Sequence, residues 1–561
     1  MKSKVITNRI AGLIGGLCLL LALAAVASDP GGWVRSLRES AFDRMLAAWP
    51  RTDGGRTVAV VSIDRDALAA VGPWPWPRAE LARLVETIAA AKPKVLAIDI
   101  LLPERESADA GDDRLVKAVA SLPVVLALVL DPQASAKPPF PSPIAATEGV
   151  DVPDLMVTPG LQLPMEALTD AADGLGVSTL PAPDGEPVRA VPLLAAGADT
   201  LLPGFALETV RIFYGGATLL ATVHPQVLRI DQHVLPLPPD GLMRLHFSAD
   251  APRDQRMISA AALLAGKADP ARLAGKIVLL GVTAPEAGSL RLTAVDPFMP
   301  SLDIQAEAVE QMLASHFPLR APYMAWIELL AGAVMGAAGV LAVLFMAPLR
   351  ALLAGLCLVL MWIAAAFLLT GKMLWLTDPV MPALIALFAL QGAAVSHFAR
   401  TYRQRQAIER RFAEHLPPEV VRRIAENPDE LRVAGETRIV TALVTDIENF
   451  TALTERVGPE AIVALLDRYV DLVAGLIIAH GGMVDKFVGD GVLGLFNAPL
   501  DLPDHQRKAV EAAIAIAAAT EALRQAPGIA SLGLGRTRIG IETGEVILGE
   551  VGRGAKRDYT A

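Results

Sequence analysis

Two stretches in the last quarter of the chain, Val444-Thr-Asp-Ile-Glu-Asn-Phe-Thr451 and Met483-Val-Asp-Lys-Phe-Val-Gly-Asp-Gly-Val492, each set an aspartate where a hydrophobic strand ends. Magnesium keeps several waters, takes few protein carboxylates and uses phosphate oxygens as ligands. Asp446 and Asp490, with glycine-opened backbone between strands, therefore suit a nucleoside triphosphate carried by metal ions. Neither carboxylate has to accept a proton in such a site. Taken singly, each is as readily a cap or a turn former, so the argument rests on the pair.

The elements that must position them follow from local pattern. Ile439–Thr445 is β-branched and reads as a buried strand that ends at Asp446. Met483–Phe487 and Val492–Phe496 read as two strands joined through Val488-Gly489-Asp490-Gly491, a strong hairpin signal. Between them Ile462, Leu465, Leu466, Tyr469, Leu472, Val473, Leu476 and Ile477 recur at helical spacing, and Gly481-Gly482 closes that helix.

Thr445-Asp-Ile-Glu-Asn-Phe-Thr451, Phe487-Val-Gly-Asp-Gly491, Gly540-Ile-Glu-Thr-Gly-Glu-Val546 and Arg557-Asp-Tyr-Thr560 resemble the successive motifs of class III adenylate/guanylate cyclases, from about Leu416 to the last residue. The resemblance implies a ferredoxin-like α+β domain that pairs head to tail with a second copy, a homodimer with ATP bound between the domains. It implies that Asp446, Asp490 and the Ile447 carbonyl bind two Mg²⁺ or Mn²⁺ ions per site, and that Lys486 and Thr560 read the adenine ring. A lysine ammonium donates to adenine N1, where guanine presents a donor, so adenine is favoured. The implied reaction is attack of the ribose 3′-oxygen on the α-phosphorus, giving cyclic AMP and pyrophosphate.

Relatives continue past this point into a helix bearing an Asn and an Arg that act on the ribose and the transition-state phosphate, and the sequence given stops at Ala561. The expectation is a C-terminally incomplete cyclase domain that binds metal and nucleotide but turns over poorly, since losing one such donor costs on the order of 10²–10³ in rate. Glu542 and Glu550 stand where relatives more often have His and Asn, and no mechanism attaches to them.

The chain has 561 residues and is 53% hydrophobic, which is too apolar for a wholly soluble protein. Ile10–Ala27 follows Lys2, Lys4 and Arg9 and reads as a signal anchor, with cleavage after Ala25-Val26-Ala27 as the alternative. Tyr323–Met346, Ala351–Leu369 and Val380–Val395, the last extendable to Phe398, read as three further spans. Arginines at 350, 400, 403, 405, 410 and 411 place the amino terminus, the Arg350 loop and the C-terminal domain in the cytoplasm of a bacterial-type inner membrane. Glu328, near the start of its span, reads as a side chain reaching the interface. Cys18 and Cys357 both fall in apolar spans, so no disulfide staples the outer domain, and the net charge of -10 argues against nucleic-acid binding.

Val58–Ile63, Arg78–Ala91 and Val95–Ile98 read as a βαβ unit, and Val124–Leu130 and Lys276–Gly281 add buried strands to a mostly parallel sheet. Asp64 and Asp99 fall at carboxyl ends of its strands, where open α/β sheets form ligand crevices; the alternative is that each is a cap. Gly72-Pro-Trp-Pro-Trp-Pro-Arg78, Gly275-Lys-Ile-Val-Leu-Leu-Gly281 and Pro300-Ser-Leu-Asp-Ile-Gln-Ala306 resemble the second class of CHASE-type extracytoplasmic sensor domains, which precede membrane spans and an output module. Trp74 and Trp76 either stack on a ligand or pack on the sheet.

The expected architecture is a multi-domain membrane protein: a cytoplasmic N-terminus (1–9), a span (10–28), an α/β extracytoplasmic sensor with an unknown ligand (30–320), spans at 323–346, 351–369 and 380–398, a linker helix and hinge (399–435), and the cyclase domain (436–561). Within the linker, His397–Phe412 suits a parallel dimer helix and Pro417-Pro418 a hinge. Competing readings are a non-catalytic nucleotide-binding receptor and a guanylate cyclase. A histidine kinase lacks its phospho-acceptor helix here, and a diguanylate cyclase lacks its Gly-Gly-Asp/Glu-Glu-Phe hairpin.

Overall fold

The computed structural model describes residues 2–29, 31–52, 57–105, 111–134, 136, 141–146, 152, 154–182, 185–197, 200–223, 226–412, 436–553 and 556–561. The expected Pro417-Pro418 hinge lies outside the described residues. The chain divides into two compact units, Gly12–Ala393 and a second made of Met1–Ala11 with Ala394–Ala561.

The first unit is built on a seven-stranded sheet. Its strands are β1 (Val58–Ile63), β2 (Val95–Asp99), β3 (Val124–Leu130), β4 (Leu161–Gln162), β5 (Gly174–Val177), β6 (Met257–Ser259) and β7 (Ile277–Val282). The order is β6-β1-β7-β2-β3-β4, with β5 also on β3, and every pairing except β3 with β4 is parallel. The expected parallel sheet is therefore present, but β1 and β2 are not neighbours. β7 lies between them, with Gly281 level with both Ser62 and Asp99.

Helices cover both faces, which is why β1 reads Val-Ala-Val-Val-Ser-Ile with no polar alternation and is buried throughout. On one face Val61, Ile63, Leu96 and Ile98 pack with Leu81, Leu84 and Ile88 of the helix Arg78–Ala90 and with Trp76. On the other, Val58, Val60, Val95 and Leu279 meet Phe205 and Val210 of the helix Phe205–Phe213 and Ile304 and Val309 of the helix Ser301–Ala314. Trp76 is 2% exposed and its Nε1 donates to the Gly72 carbonyl at 2.9 Å, so it packs on the sheet, as does the half-buried Trp74.

Beneath that second face lies an ionic cluster that the sequence pattern did not disclose. Glu307 accepts from Arg51 at 2.6 Å, Arg256 at 2.9 Å, the Ser248 hydroxyl at 2.6 Å and the Ser248 amide at 2.8 Å, and Arg256 also reaches Glu310 at 2.9 Å. Burial pushes the Glu307 carboxyl up, but Arg256 and Arg51 outweigh it and hold the group below the usual range.

Among the described residues three helices are long and apolar enough to cross a membrane, Met324–Phe345, Pro348–Met373 and the Val380–Ala399 part of the helix Val380–Phe412. The first apolar segment forms the helix Lys2–Ser28 and is followed by Trp33–Ala47 at 76°; that bent pair counts as a fourth crossing only if it is one span. Small residues let these helices approach: a Cβ on Gly336 would meet Leu19 at 2.6 Å, and one on Gly355 would meet Leu390 at 2.7 Å. Glu328 does not reach out to the interface. It is fully buried, takes both terminal nitrogens of Arg320 at 2.9 and 2.6 Å, and accepts the Asp378 amide at 2.7 Å.

The second unit contains a five-stranded sheet of β8 (Glu436–Ile447), β9 (Met483–Val488), β10 (Gly491–Phe496), β11 (Thr537–Arg553) and β12 (Lys556–Thr560), in the order β9-β10-β8-β11-β12 and antiparallel throughout. The helices Pro459–Ala479 and His505–Gln525 cover one face, where Leu465, Tyr469, Val473 and Ile477 meet Leu443, Val484, Val492 and Phe496. The expected helix, its Gly481 terminus at φ 85° and the hairpin are all found. The strand expected to end at Asp446 runs one residue further, to Ile447.

Replacing Glu307 by Ala takes the Glu307 carboxylate from the buried Arg51 and leaves the buried Arg256 with Glu310 and Asp303 alone. The expected loss is about 3–5 kcal/mol in unfolding stability, read from denaturant titration of the purified protein beside wild type.

Candidate functional site

Strand β8 delivers Asp446 and Ile447 to the edge of the sheet where the β9–β10 turn lies. The two meet through one bond, since Asp490 Oδ2 accepts from the Ile447 amide at 2.8 Å. The turn is held flat on the strand by two further features. Thr445 Oγ1 accepts the Val492 amide at 3.1 Å, and Gly491 sits so close that a Cβ there would lie 2.5 Å from the Thr445 carbonyl oxygen. Gly489 takes φ 63°, which a side chain adopts at a cost.

The result is a half-buried carboxylate, Asp490, tied to the backbone next to an open one, Asp446. Asp446 is 57% exposed, and its only ion-pair partner among the described residues is Arg538, a loose contact at 3.9 Å that a small cation can displace. Hard oxygen donors with two negative charges and room for water fit Mg²⁺ or Mn²⁺ and do not fit a soft or thiolate-seeking metal. Below them the Tyr469 hydroxyl is buried beside Thr445 and Thr537. Burial pushes its phenol up, hydrogen bonds with Thr445 and Thr537 favour the charged form, and the charges of Asp490 and Asp446 push up as burial does.

Lys486 follows a β-bulge, for the register of β9 against β10 shifts between Val484 and Lys486. The residue in that bulge, Asp485, has a side chain with no exposure and lies 3.2 Å from Lys486 Nζ, while the lysine is 47% exposed. The signal for Asp485 in the sequence is an acid beside a base in the otherwise apolar Met-Val-Asp-Lys-Phe-Val strand.

Thr560 is not brought to Lys486 within one chain. β9 and β12 are the two outer strands of the sheet. Lys486 is level with Leu493, whereas Thr560 pairs with Gly549, next to the far end of β8 at Glu436.

In the first unit, Asp64 caps a helix. Its Oδ1 accepts the Ala67 amide at 2.9 Å and the Ser259 hydroxyl at 2.9 Å, at the start of Arg65–Val71. Asp99 ends β2 two strands away, beyond β7. Burial raises its carboxyl to about 6, partly offset by a hydrogen bond with Ser178. The crevice expectation thus retains one candidate group, Asp99, with the other committed to a cap.

A family model described as the CHASE2 domain matches residues 17–344. A second, described as the adenylate and guanylate cyclase catalytic domain, matches residues 433–560. The chain is similar to "Adenylate cyclase 1" of Rhizobium meliloti (strain 1021), 34% identical over 209 residues, which is 36% of this chain and 31% of that protein. An uncharacterised protein of Mycobacterium tuberculosis (strain ATCC 25618 / H37Rv) is 32% identical over 158 residues, 28% of this chain and 27% of its own length. The chain thus spans about a third or less of these relatives. Among solved structures, the guanylyl cyclase Cya2 matches at 36% identity over 22% of this chain and 64% of that chain, with a TM-score of 0.21. A bacterial light-regulated adenylyl cyclase matches at 27% identity over 30% of this chain and 47% of its own, with a TM-score of 0.24.

Two outcomes are expected. Gly491→Ala should lift the turn off β8 and weaken Mn²⁺ binding, measured by electron paramagnetic resonance of free Mn²⁺, while the far-ultraviolet circular dichroism is kept. For Asp99 the folded carboxyl titrates higher than the unfolded one, so its contribution is full below about pH 4 and is lost as pH rises through about 6. Asp99→Asn should remove that decline, seen as a smaller difference in melting midpoint between pH 4.5 and 7.5 than in wild type.

Proposed function

Since the chain belongs to the adenylate and guanylate cyclases that carry a CHASE2 domain, we propose that it converts ATP to cyclic AMP and pyrophosphate under control of that domain. The observation that supports this reading is the contact between Asp490 and the amide of Ile447, the residue next to Asp446. Asp446, Asp490 and the Ile447 carbonyl would hold two Mg²⁺ or Mn²⁺ ions, and those ions would supply charge neutralisation at the phosphates and acidify the ribose 3′-hydroxyl. In the reaction the 3′-oxygen–phosphorus bond forms, the bond from the α-phosphorus to the bridging oxygen breaks, the hydroxyl proton passes to water and pyrophosphate leaves.

Lys486 supplies the choice of base, and its neighbour Asp485 holds the ammonium at the strand edge. Donation from the ammonium to adenine N1 favours ATP, and the guanylate reading is disfavoured for that reason. Thr560 joins the base pocket on the strength of the motif resemblance alone.

The active form is a homodimer. Apolar side chains on the sheet support this, since Val444, Ile541, Ile547 and the hairpin residues Phe487 and Val488 are 40% to 70% exposed. The CHASE2 domain lies outside the cell and the cyclase domain in the cytoplasm, in keeping with the arginines at 400, 403, 405, 410 and 411. That orientation needs the helix Lys2–Ser28 at the amino end to complete an even number of crossings.

Asp446→Asn or Asp490→Asn should remove cyclic AMP formation, or Mn²⁺-dependent binding of a fluorescent ATP analogue, by at least about 10²-fold; metal-dependent binding at wild-type strength in both variants would sink the assignment. Lys486→Glu should move preference from ATP toward GTP in a competition assay.

A further inference from the structure

A cavity of about 720 Å³ opens where the CHASE2 domain meets the membrane helices, inside the Gly12–Ala393 unit. Phe42 of the helix Trp33–Ala47 forms one wall, the Pro236–Leu242 segment another, and Leu319, Tyr323, Trp375 and Leu376 the side nearest the spans. Its size lies within the range of sites for small organic ligands.

Three guanidinium groups line it, and each is already engaged. Arg244 pairs with Glu39 and, at 2.9 Å, with Asp43. Arg189 pairs with Asp43 at 2.7 Å, and Arg320 with Glu328 at 2.6 Å. The lining itself sets Arg189, Arg244 and Arg320 against Glu39, Asp154 and Asp240, three positive against three negative. An anion would have to break an ion pair to gain a partner, and for a cation the charge-balanced lining supplies no net attraction. Backbone and carboxylate acceptors still offer hydrogen bonds to a hydroxyl.

Location narrows the ligand further. Tyr323 and Trp375 are 57% and 48% exposed at the ends of Met324–Phe345 and Pro348–Met373, the positions of aromatic anchors at a membrane interface. Molecules with an apolar body and a polar tip concentrate in that layer.

We propose that this cavity binds an uncharged amphipathic small molecule drawn from the membrane interface, and that it is the ligand site of the CHASE2 domain. An occupant would lean on Arg320, which holds Glu328. The Glu328 carboxylate accepts the Asp378 amide at 2.7 Å, and Asp378 Oδ1 caps the helix Val380–Phe412 through the amides of Val380 at 2.7 Å and Met381 at 3.1 Å. The site therefore touches the first link of a chain of polar contacts that ends at the start of the last membrane helix.

The test uses the full chain in phospholipid nanodiscs and the uncharged photoreactive alcohol 3-azioctanol, with adducts mapped by mass spectrometry. Adducts are expected on the 318–324 and 374–376 segments, competed by octanol and not by equal octanoate or octylamine. Ala321→Trp, which fills the cavity from its wall, should lower those adducts about tenfold while leaving adducts on lipid-facing span residues unchanged. Leu319→Trp serves as the second filling variant should the first fail to fold. Adducts spread evenly along the spans and unaltered by either variant, or competition strongest with octanoate or octylamine, would overturn the proposal.

Discussion

The candidate site depends on one hydrogen bond between distant parts of the sequence, from the Ile447 amide to the Asp490 carboxylate. It fixes where a flexible turn sits relative to the end of a central strand. Everything else at that edge accommodates it: the missing side chain at Gly491, the Thr445 hydroxyl turned toward Val492, and a buried Tyr469 below. A carboxylate that accepts a backbone amide keeps a second oxygen for other partners. Asp490 can thus act as a structural tie and a ligand at once.

The first unit solves a different problem. Its sheet is hydrophobic on both faces, yet the second face also buries Arg51, Arg256, Glu307 and Glu310. Buried ions of this kind add little net stability over apolar packing, but they reject alternative registers of the helix Ser301–Ala314, because a shift of one residue would strand charges without partners. A second polar knot, Arg320 with Glu328 and the Asp378 amide, fixes the long apolar helices where hydrophobic packing alone would let them slide.

Much of this was legible from residue pattern. The parallel strands, the cyclase hairpin and its helix, and three of the apolar spans come from periodicity and turn chemistry, which are local. The carboxylates proposed to hold metal stand out by local signals too, Asp446 at a strand end and Asp490 between two glycines. What was not legible depends on distant partners. Nothing in Lys276–Gly281 says that it inserts between β1 and β2, nothing local to Glu328 announces Arg320, and the bulge that sets Asp485 beside Lys486 appears only once β9 is paired. Asp64 showed the converse: an aspartate at a strand end satisfied by its own helix looks the same in sequence as one awaiting a ligand.

The insertion of β7 has a consequence for how the chain comes to be made. β1 and β2 are complete by residue 99, but the strand that belongs between them begins at residue 277. At roughly 5–20 residues per second, translation leaves those two apolar edges without their shared neighbour for on the order of ten to forty seconds. During that interval the nascent polypeptide carries open strand edges able to pair with the wrong segment or with another copy, so its biogenesis calls for shielding by a chaperone or by the membrane itself.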